Sequence, residues 1–150
     1  MILLILFTKI AKTPAKAAAT LPPSFWIYPP EPAILLSQRH FDPTLFYYPQ
    51  IFLWLPHFLV EDLHCPACKT AVLEKNGALP PQHIIDSQDC FYLISWVYYC
   101  RKGCKSQFAG WGHAILDSHP RHLCLAFPAI LSHRSGISHN VMTQLCVLPC

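Results

Sequence analysis

The spacing of apolar and polar positions changes along the chain and divides it into regions. Residues 1–40 are irregular and rich in Pro and Ala, with polyproline-like stretches such as "YPPEP". Residues 41–64 are dense in aromatic side chains, which we expect to lie over the domain that follows and to contribute to its core. From residue 65 the pattern predicts short strands, and after residue 111 it predicts short helices.

The strand predictions rest on four stretches. The clearest is "FYLISWVYY" (91–99), which is aromatic and β-branched, apolar on both faces and bounded by turns. "KTAVLEK" predicts a strand that ends at an Asn-Gly turn in "NGALPP", and "QHIIDSQD" predicts a short strand with a polar turn. "KSQFAGW" is expected to pair back onto strand 91–99 as a hairpin across "CRKGC".

Three short helices are predicted after residue 111. "GHAILDSH" fits one or two turns, and "PRHLCLAF" places Pro120 in the first turn and ends before Pro128. "SHNVMTQLC" follows Ser138, which is a suitable N-cap.

Two cysteine pairs suggest a metal site. Tetrahedral zinc takes four thiolate or imidazole ligands, usually supplied as two short pairs on turns. "CPAC" and "CRKGC" are two such pairs, and we expect Gly103 to supply a positive φ in the second turn. His64 precedes the first pair and could replace one sulfur. The predicted ligands of a Zn²⁺ ion are Cys65, Cys68, Cys100 and Cys104.

Other hypotheses for the cysteines stay open at this point. Eight cysteines could form disulfides in an exported chain. A redox Cys-x-x-Cys would need a thioredoxin-like βαβ context, which the pattern lacks. Cys90 and Cys124 are interpreted as small buried hydrophobic residues, and "CVLPC" at the end is half of another site or has no role.

The predicted fold class is α+β, a small zinc-ribbon-like β-hairpin core followed by short helices. We predict an irregular segment at 1–40, a zinc-ribbon-like domain at 41–146 and a tail at 147–150. Within the domain, an aromatic lead-in covers 41–64, the ribbon 65–111 and the helical part 112–146.

Charge is unevenly distributed around a net value of +3. Through residue 99 the chain has six Lys/Arg and seven Asp/Glu, whereas residues 100–150 have five Lys/Arg and one acid. A basic region favours acidic partners such as DNA or RNA, although it also suits a solvated face. The residues predicted to contact nucleic acid are Arg101, Lys102, Lys105, Arg121 and Arg134.

No catalytic constellation is evident, so we expect the protein not to be an enzyme. The chain lacks a phosphate-binding glycine loop and a G-x-S-x-G elbow. Asp86 and Asp89 form a close carboxylate pair, but a turn beside a strand explains them more simply. A two-metal nuclease needs several carboxylates, and only Asp117 follows residue 100.

Several phrases resemble a known family. "FDPTLFYYPQIFLWLPHFL", "CPAC", "DCFYLISWVYYCRKGC", "FAGW" and above all "FPAILSHRSGIS" are similar to an uncharacterised zinc-ribbon-like domain, over residues 41–145. That family occurs mainly in fungal proteins, often ones related to mobile elements. The resemblance implies that Cys65, Cys68, Cys100 and Cys104 bind metal, and it implies no activity.

Targeting signals do not change this picture. The apolar start is short, follows no basic residue and is interrupted by Lys9, unlike a secretory signal. The longest apolar run, 46–60, is broken by Pro49 and Pro56 and falls short of the about 18 residues that span a bilayer. We therefore expect an intracellular protein without a transmembrane span, nuclear if its partner is nucleic acid.

The favoured function is a non-catalytic zinc-binding recognition module for nucleic acid. The first alternative is a protein-interaction or assembly domain, with the aromatic residues of 41–60 as its partner surface. A second alternative is a degenerate fragment of a longer ancestral product, without activity.

Overall fold

The computed structural model describes residues 24–28 and 49–147. Most of the segment predicted as 1–40, and residues 41–48 of the segment 41–64, lie outside this part of the chain; they include Phe41, Phe46, Tyr47 and Tyr48. The described strands are β1 (Trp26–Ile27), β2 (Gln50–Leu53), β3 (Glu74–Ala78), β4 (Gln82–Ile85), β5 (Cys90–Ile94), β6 (Trp96–Tyr99), β7 (Gln107–Ala109), β8 (Ala129–Leu131) and β9 (Ser135–Ser138). The described helices are α1 (Pro56–Leu59), α2 (His113–Leu116), α3 (Arg121–Ala126) and α4 (His139–Val147). The α+β class is confirmed.

The described residues divide into two units. The ribbon unit comprises residues 54–81 and 94–127, together with Ser24. The sheet unit comprises residues 25–28, 49–53, 82–93 and 128–147. The chain therefore enters each unit more than once, a division that the sequence pattern did not predict. The predicted domain boundaries at residues 40 and 146 stay predictions.

The ribbon unit is built on a three-stranded antiparallel sheet in the order β3-β6-β7. Tyr98 pairs with Phe108 across β6 and β7, which confirms the hairpin predicted across "CRKGC". Helices α2 and α3 follow β7, as the pattern predicts. One buried cluster of this unit includes two of the predicted ligands: Leu63, Cys65, Ala71, Leu73, Tyr98, Cys100 and Ile115. Other buried apolar side chains of the unit are Trp54, Leu55, Ile94 and Phe127.

Three details of the strand predictions are wrong. Of "KTAVLEK" (69–75), only Glu74 and Lys75 belong to a strand, β3. Asn76 and Gly77 do not form a turn but lie within β3, where the register shifts between Lys75 and Ala78 and Gly77 has φ of 109°. Glycine tolerates this left-handed conformation, so an apparent turn signal marks an irregularity inside a strand. The predicted single strand 91–99 is two strands, β5 and β6, which belong to different sheets and are separated by buried Ser95.

The sheet unit contains a six-stranded sheet in the order β1-β2-β5-β4-β9-β8. β4 and β9 are parallel, whereas β4 and β5, and also β8 and β9, form antiparallel pairs. The Trp26 ring packs edge-on against the rings of Phe52 and Phe91, with centroids 4.8 and 4.9 Å away. Apolar side chains and aromatic packing thus stabilise this unit.

Helix α4 begins where β9 ends, and the residue that caps it also accounts for a hydrogen bond of the Asp86 carboxylate. The Ser138 hydroxyl accepts a hydrogen bond from the Val141 N–H at 3.2 Å, which confirms the predicted N-cap. The same hydroxyl donates to the Asp86 carboxylate, which also accepts from the Ser87 N–H. Asp86 therefore closes a turn and supports a helix start, as the simpler interpretation of "DSQD" expects.

Candidate metal centre

The first cysteine turn is closed by backbone hydrogen bonds. The Cys65 N–H donates to the Ala71 carbonyl and the Lys69 N–H donates to the Cys65 carbonyl, each at 2.8 Å. Just before the turn, His64 forms an isolated antiparallel bridge with Val72. These bonds hold Cys65 and Cys68 on one compact loop, with Cys65 buried and Cys68 half-buried.

The second turn joins β6 to β7 in a similar way. The Cys100 N–H donates to the Ser106 carbonyl at 3.0 Å, and the Ser106 hydroxyl donates to the Cys104 carbonyl at 3.3 Å. Cys100 is buried and Cys104 is exposed. Each pair therefore consists of one buried cysteine and one that is more accessible.

The two turns bring all four predicted ligands together. Every sulfur of the group lies within 4.8 Å of the others. The Cys65 and Cys104 sulfurs are 3.5 Å apart, and the Cys68 and Cys100 sulfurs are 3.7 Å apart. Four thiolates around a tetrahedral zinc, each about 2.3 Å from the ion, lie about 3.8 Å from one another. The spacing therefore fits a single metal ion, and exposed His64 is not part of the group.

The backbone makes two of these thiols more acidic. N–H groups of Ala71 and Thr70 lower the pKa of Cys68 to about 6. Hydrogen bonds from the Ser106 side chain and backbone N–H lower the pKa of Cys104. Burial has the opposite effect on Cys65 and raises its pKa to about 11, because a thiolate is poorly solvated there. A cation at the cluster would offset that penalty.

The prediction that Gly103 supplies a positive φ in the second turn is wrong. The residues with positive φ in the two turns are Lys69, at 60°, and Lys105, at 54°. Gly103 is needed for space, since a Cβ there would lie 2.6 Å from the Cys68 sulfur and 2.9 Å from the Cys100 sulfur. The sequence therefore indicates the right glycine, but the physical reason is close approach of the backbone to the cluster.

The residues predicted to contact nucleic acid are all exposed and come from several elements of the fold. Arg101 lies 3.7 Å from the Glu74 carboxylate in an exposed ion pair. Lys102 and Lys105 are exposed in the second cysteine turn, and Arg121 is exposed at the first position of α3. Arg134 is exposed between β8 and β9, in the sheet unit. Nucleic-acid binding by these five residues stays a prediction.

Lys69 is a basic residue of the cluster region that the sequence prediction omitted. It directly follows the first cysteine pair, as Lys105 follows the second. This shared position after a cysteine pair is the feature of the sequence that could have indicated Lys69. Lys69 is outside the predicted set because that set was drawn from the basic residues of the C-terminal third.

The other cysteines that the structure describes are not part of the cluster. Cys90 and Cys124 are half-buried rather than fully buried, and the Cys124 thiol donates to the Leu116 carbonyl at 3.0 Å. Cys146 is exposed near the end of α4, and Cys150 lies outside the described residues. The seven described cysteines form no disulfide with one another.

The described part of the aromatic segment lies mainly in the interior. Phe52 and Trp54 are fully buried, and the Trp54 ring N–H donates to the Gly110 carbonyl at 3.0 Å. Phe58, in α1, is 43% exposed. The expectation that this segment contributes to the core is met by these residues. Within the described ranges, no helix combines the length and apolar character needed to cross a bilayer.

Fold and site define an α+β protein with a four-cysteine cluster on two turns of a zinc-ribbon-like sheet. The chain belongs to the domain of unknown function DUF6729, whose family model matches residues 2–147. This match confirms an uncharacterised domain family and extends beyond the range 41–145 in which the sequence resemblance was noted. Comparison with curated proteins and with solved structures gives no match.

Proposed function

We propose that the protein binds one Zn²⁺ ion through its four clustered cysteines and acts as a non-catalytic recognition module for nucleic acid. The observation that supports the first part is the convergence of four sulfurs within 4.8 Å from turns more than 30 residues apart in sequence. Four sulfur ligands favour zinc over magnesium or calcium, which prefer oxygen.

The role of the ion is structural in this proposal. All four ligand positions are taken by protein side chains, which leaves no open position for water or substrate. Two of the four, Cys65 and Cys100, are part of the buried core of the ribbon unit. Because a structural zinc site forms only in the folded state, metal binding would add directly to the folding free energy of the unit.

Nucleic acid is the proposed partner because the cysteine turns carry exposed basic side chains. Lys102 and Lys105 are exposed there, and none of the described acidic residues lies within ion-pair distance of either. A fungal, mobile-element origin, which the sequence resemblance implies, would suit such a ligand and stays a prediction. The aromatic partner surface of the alternative hypothesis has less support, because Phe52 and Trp54 are buried.

The lack of catalysis is part of the proposal. Among the described residues, the cysteine cluster is the one group of three or more potential metal-ligating side chains. Asp86, the acidic residue considered for a nuclease, accepts hydrogen bonds from Ser138 and Ser87.

The zinc proposal is tested by metal content. Inductively coupled plasma mass spectrometry on purified protein should find one zinc per chain. The double variant Cys100→Ser/Cys104→Ser should lose it together with cooperative unfolding. Cys146→Ser is the matched control, because Cys146 is exposed and outside the cluster, and it should keep its zinc. Metal-free wild type after expression and refolding with zinc would contradict the proposal.

The nucleic-acid proposal is tested separately by fluorescence anisotropy with labelled single-stranded and duplex DNA. Phosphate contacts release counterions, so binding should weaken steeply with salt. Zinc-loaded protein that binds neither probe, nor the corresponding RNA, at low salt would contradict it and leave the metal site standing.

A further inference from the structure

Lys69 and Lys105 occupy equivalent positions in the two cysteine turns. Each directly follows the second cysteine of its pair. Each has a left-handed backbone, with φ of 60° and 54°, and in the described part of the chain they are the two non-glycine residues with positive φ. The equivalence is independent of turn length, because the first pair is Cys-x-x-Cys and the second is Cys-x-x-x-Cys.

The turn geometry accounts for the backbone conformation but not for the lysine. After the left-handed residue, N–H groups of Thr70 and Ala71 hydrogen-bond to the Cys68 sulfur. The Ser106 N–H hydrogen-bonds to Cys104 in the same way. Glycine adopts the left-handed region without steric cost, whereas a side chain with a Cβ does not. A strained residue that recurs at both sites suggests that its side chain has a function.

The side chains of both lysines are available to a ligand. Both residues are exposed, and the one ion pair among the described residues joins Arg101 to Glu74 instead. Because the Cys68 and Cys104 sulfurs lie within 4.8 Å of each other, the lysines that directly follow them in sequence are at the same end of the ribbon unit. Two unpaired ammonium groups at one end of a unit favour a ligand with more than one negative charge.

The surroundings of Lys69 indicate how such a ligand would lie. Lys69 lines an open groove of about 490 Å³ with His64, Pro66, Ala114 and Asp117. Asp117 lines the same groove and its carboxylate would repel an anion inside it, so the anionic part of the ligand should lie outside the groove. A linear polyanion that passes over both turns satisfies this condition better than a compact anion in the groove.

We propose that Lys69 and Lys105 are a pair of phosphate-binding residues that hold the backbone of a nucleic-acid strand across the cysteine end of the ribbon unit. This inference rests on the proposed nucleic-acid function and specifies its contacts. The proposed contact residues now include Lys69, which the charge distribution alone did not indicate. They no longer include Arg121 and Arg134. Lysine suits this role because it contacts phosphate as a point charge.

The test compares two double variants of the full chain in their zinc-loaded form. Lys69→Gly/Lys105→Gly removes both charges and both left-handed side chains, and Arg121→Gln/Arg134→Gln removes two charges elsewhere. The probe is fluorescein-labelled single-stranded DNA of mixed sequence, with anisotropy measured over a series of salt concentrations. Glycine is chosen because alanine would retain the backbone strain.

We expect the lysine variant to bind at least about tenfold more weakly at low salt. Its slope of log affinity against log salt should become less steep by about 1.4, which is 0.7 for each lost phosphate contact with a single strand. The arginine variant should change both quantities less. Zinc content and thermal stability of the lysine variant should be unchanged or higher, because a steric cost is removed.

Other outcomes overturn the inference in recognisable ways. Equal losses in both double variants would mean that binding depends on net charge and not on this pair. Loss of zinc in the lysine variant would mean that the lysines offset the charge of the metal cluster instead. If wild-type protein binds no DNA or RNA, the proposed function itself fails, whereas normal binding by the lysine variant refutes only this inference.

Discussion

The two units of the molecule differ in what accompanies apolar burial. The ribbon unit buries apolar side chains such as Trp54, Leu55 and Phe127, and it also has a buried cluster of seven residues, two of which are cysteines of the metal cluster. The sheet unit has six strands and an aromatic contact in which the Trp26 ring packs against Phe52 and Phe91. Both units depend on apolar burial and strand pairing, and the ribbon unit in addition has the proposed ion.

This difference shows how a sequence can be apolar and still need a metal. The chain is 53% hydrophobic, but its apolar side chains are shared between two cores. Apolar burial must balance the conformational entropy of the ordered residues, and small units commonly add disulfides or metals to it. The cysteine cluster is in the ribbon unit, where Cys65 and Cys100 are also part of a buried apolar cluster.

Metal removal should give the largest contrast between the units. Structural zinc in small domains contributes on the order of 10 kcal/mol of folding free energy. In the presence of a chelator and reductant, amides of β3, β6 and β7 should exchange with deuterium at least about tenfold faster. Amides of β4, β5 and β9 should be less affected. Hydrogen-exchange mass spectrometry measures this, and equal acceleration in both sheets would show that the units unfold together.

Two glycines allow a smaller and matched perturbation. A Cβ at Gly103 would lie 2.6 Å from the Cys68 sulfur, and a Cβ at Gly136 would lie 2.6 Å from the Ile130 carbonyl oxygen. Each alanine variant should lose about 1–3 kcal/mol of stability, the usual range for overpacking. Gly103→Ala should also weaken zinc binding, whereas Gly136→Ala should not.

Chemical denaturation and a competition assay with a zinc indicator separate these effects. Gly112→Ala is a milder control. Its Cβ would lie 3.1 Å from the Ala109 carbonyl oxygen, and the three atoms nearest to it all belong to Ala109, so no sulfur is among them. Unchanged zinc affinity in Gly103→Ala would mean that the cluster tolerates displacement of its sulfurs.

The cysteine site could be predicted because its signal is local. Each pair lies within five residues, each is flanked by turn residues, and zinc requires few ligand types at a fixed separation. The hairpin that joins β6 to β7 is local for the same reason. Left-handed lysines were not predicted, since positive φ is normally assigned to glycine.

The sheet unit was largely missed because its pairing is not local. β4 lies beside β9, so that His83 pairs with Ser135 although 51 residues separate them. β8 has three residues and β9 has four, which is too short for a period of two to be distinguished from chance. The interruption at Ser95 was also not predicted, because one serine between apolar residues does not by itself end a strand pattern.

The smallest predicted effect is a pH dependence specific to the ribbon unit. Burial, together with the nearby Lys75 charge, lowers the pKa of His57 to about 4, from an ordinary value of 6.5. The His57 Nδ1 atom lies 2.7 Å from the hydroxyl of buried Tyr98. Folding therefore favours neutral His57, and the unfolded chain binds the proton more tightly.

The sign follows from these two pKa values. The stabilising contribution is fully present above pH 6.5 and is lost as pH falls from 6.5 towards 4. Because the ring is partly accessible to solvent, we expect about 1 kcal/mol instead of the full value of the shift. Acid also protonates thiolates and releases zinc, so stability alone cannot isolate His57. The direct measurement is an NMR titration of the His57 ring in zinc-loaded protein.

That titration should give a midpoint well below 6.5, and a midpoint of 6 or higher would contradict the buried environment. Tyr98→Phe is the informative control, since it removes the hydrogen bond and keeps the aromatic ring. If burial is the main cause, as the structure indicates, most of the depression should survive this substitution. A return to the ordinary value would instead make the Tyr98 hydroxyl the decisive group, and the pH response would then depend on one hydrogen bond in the core of the ribbon unit.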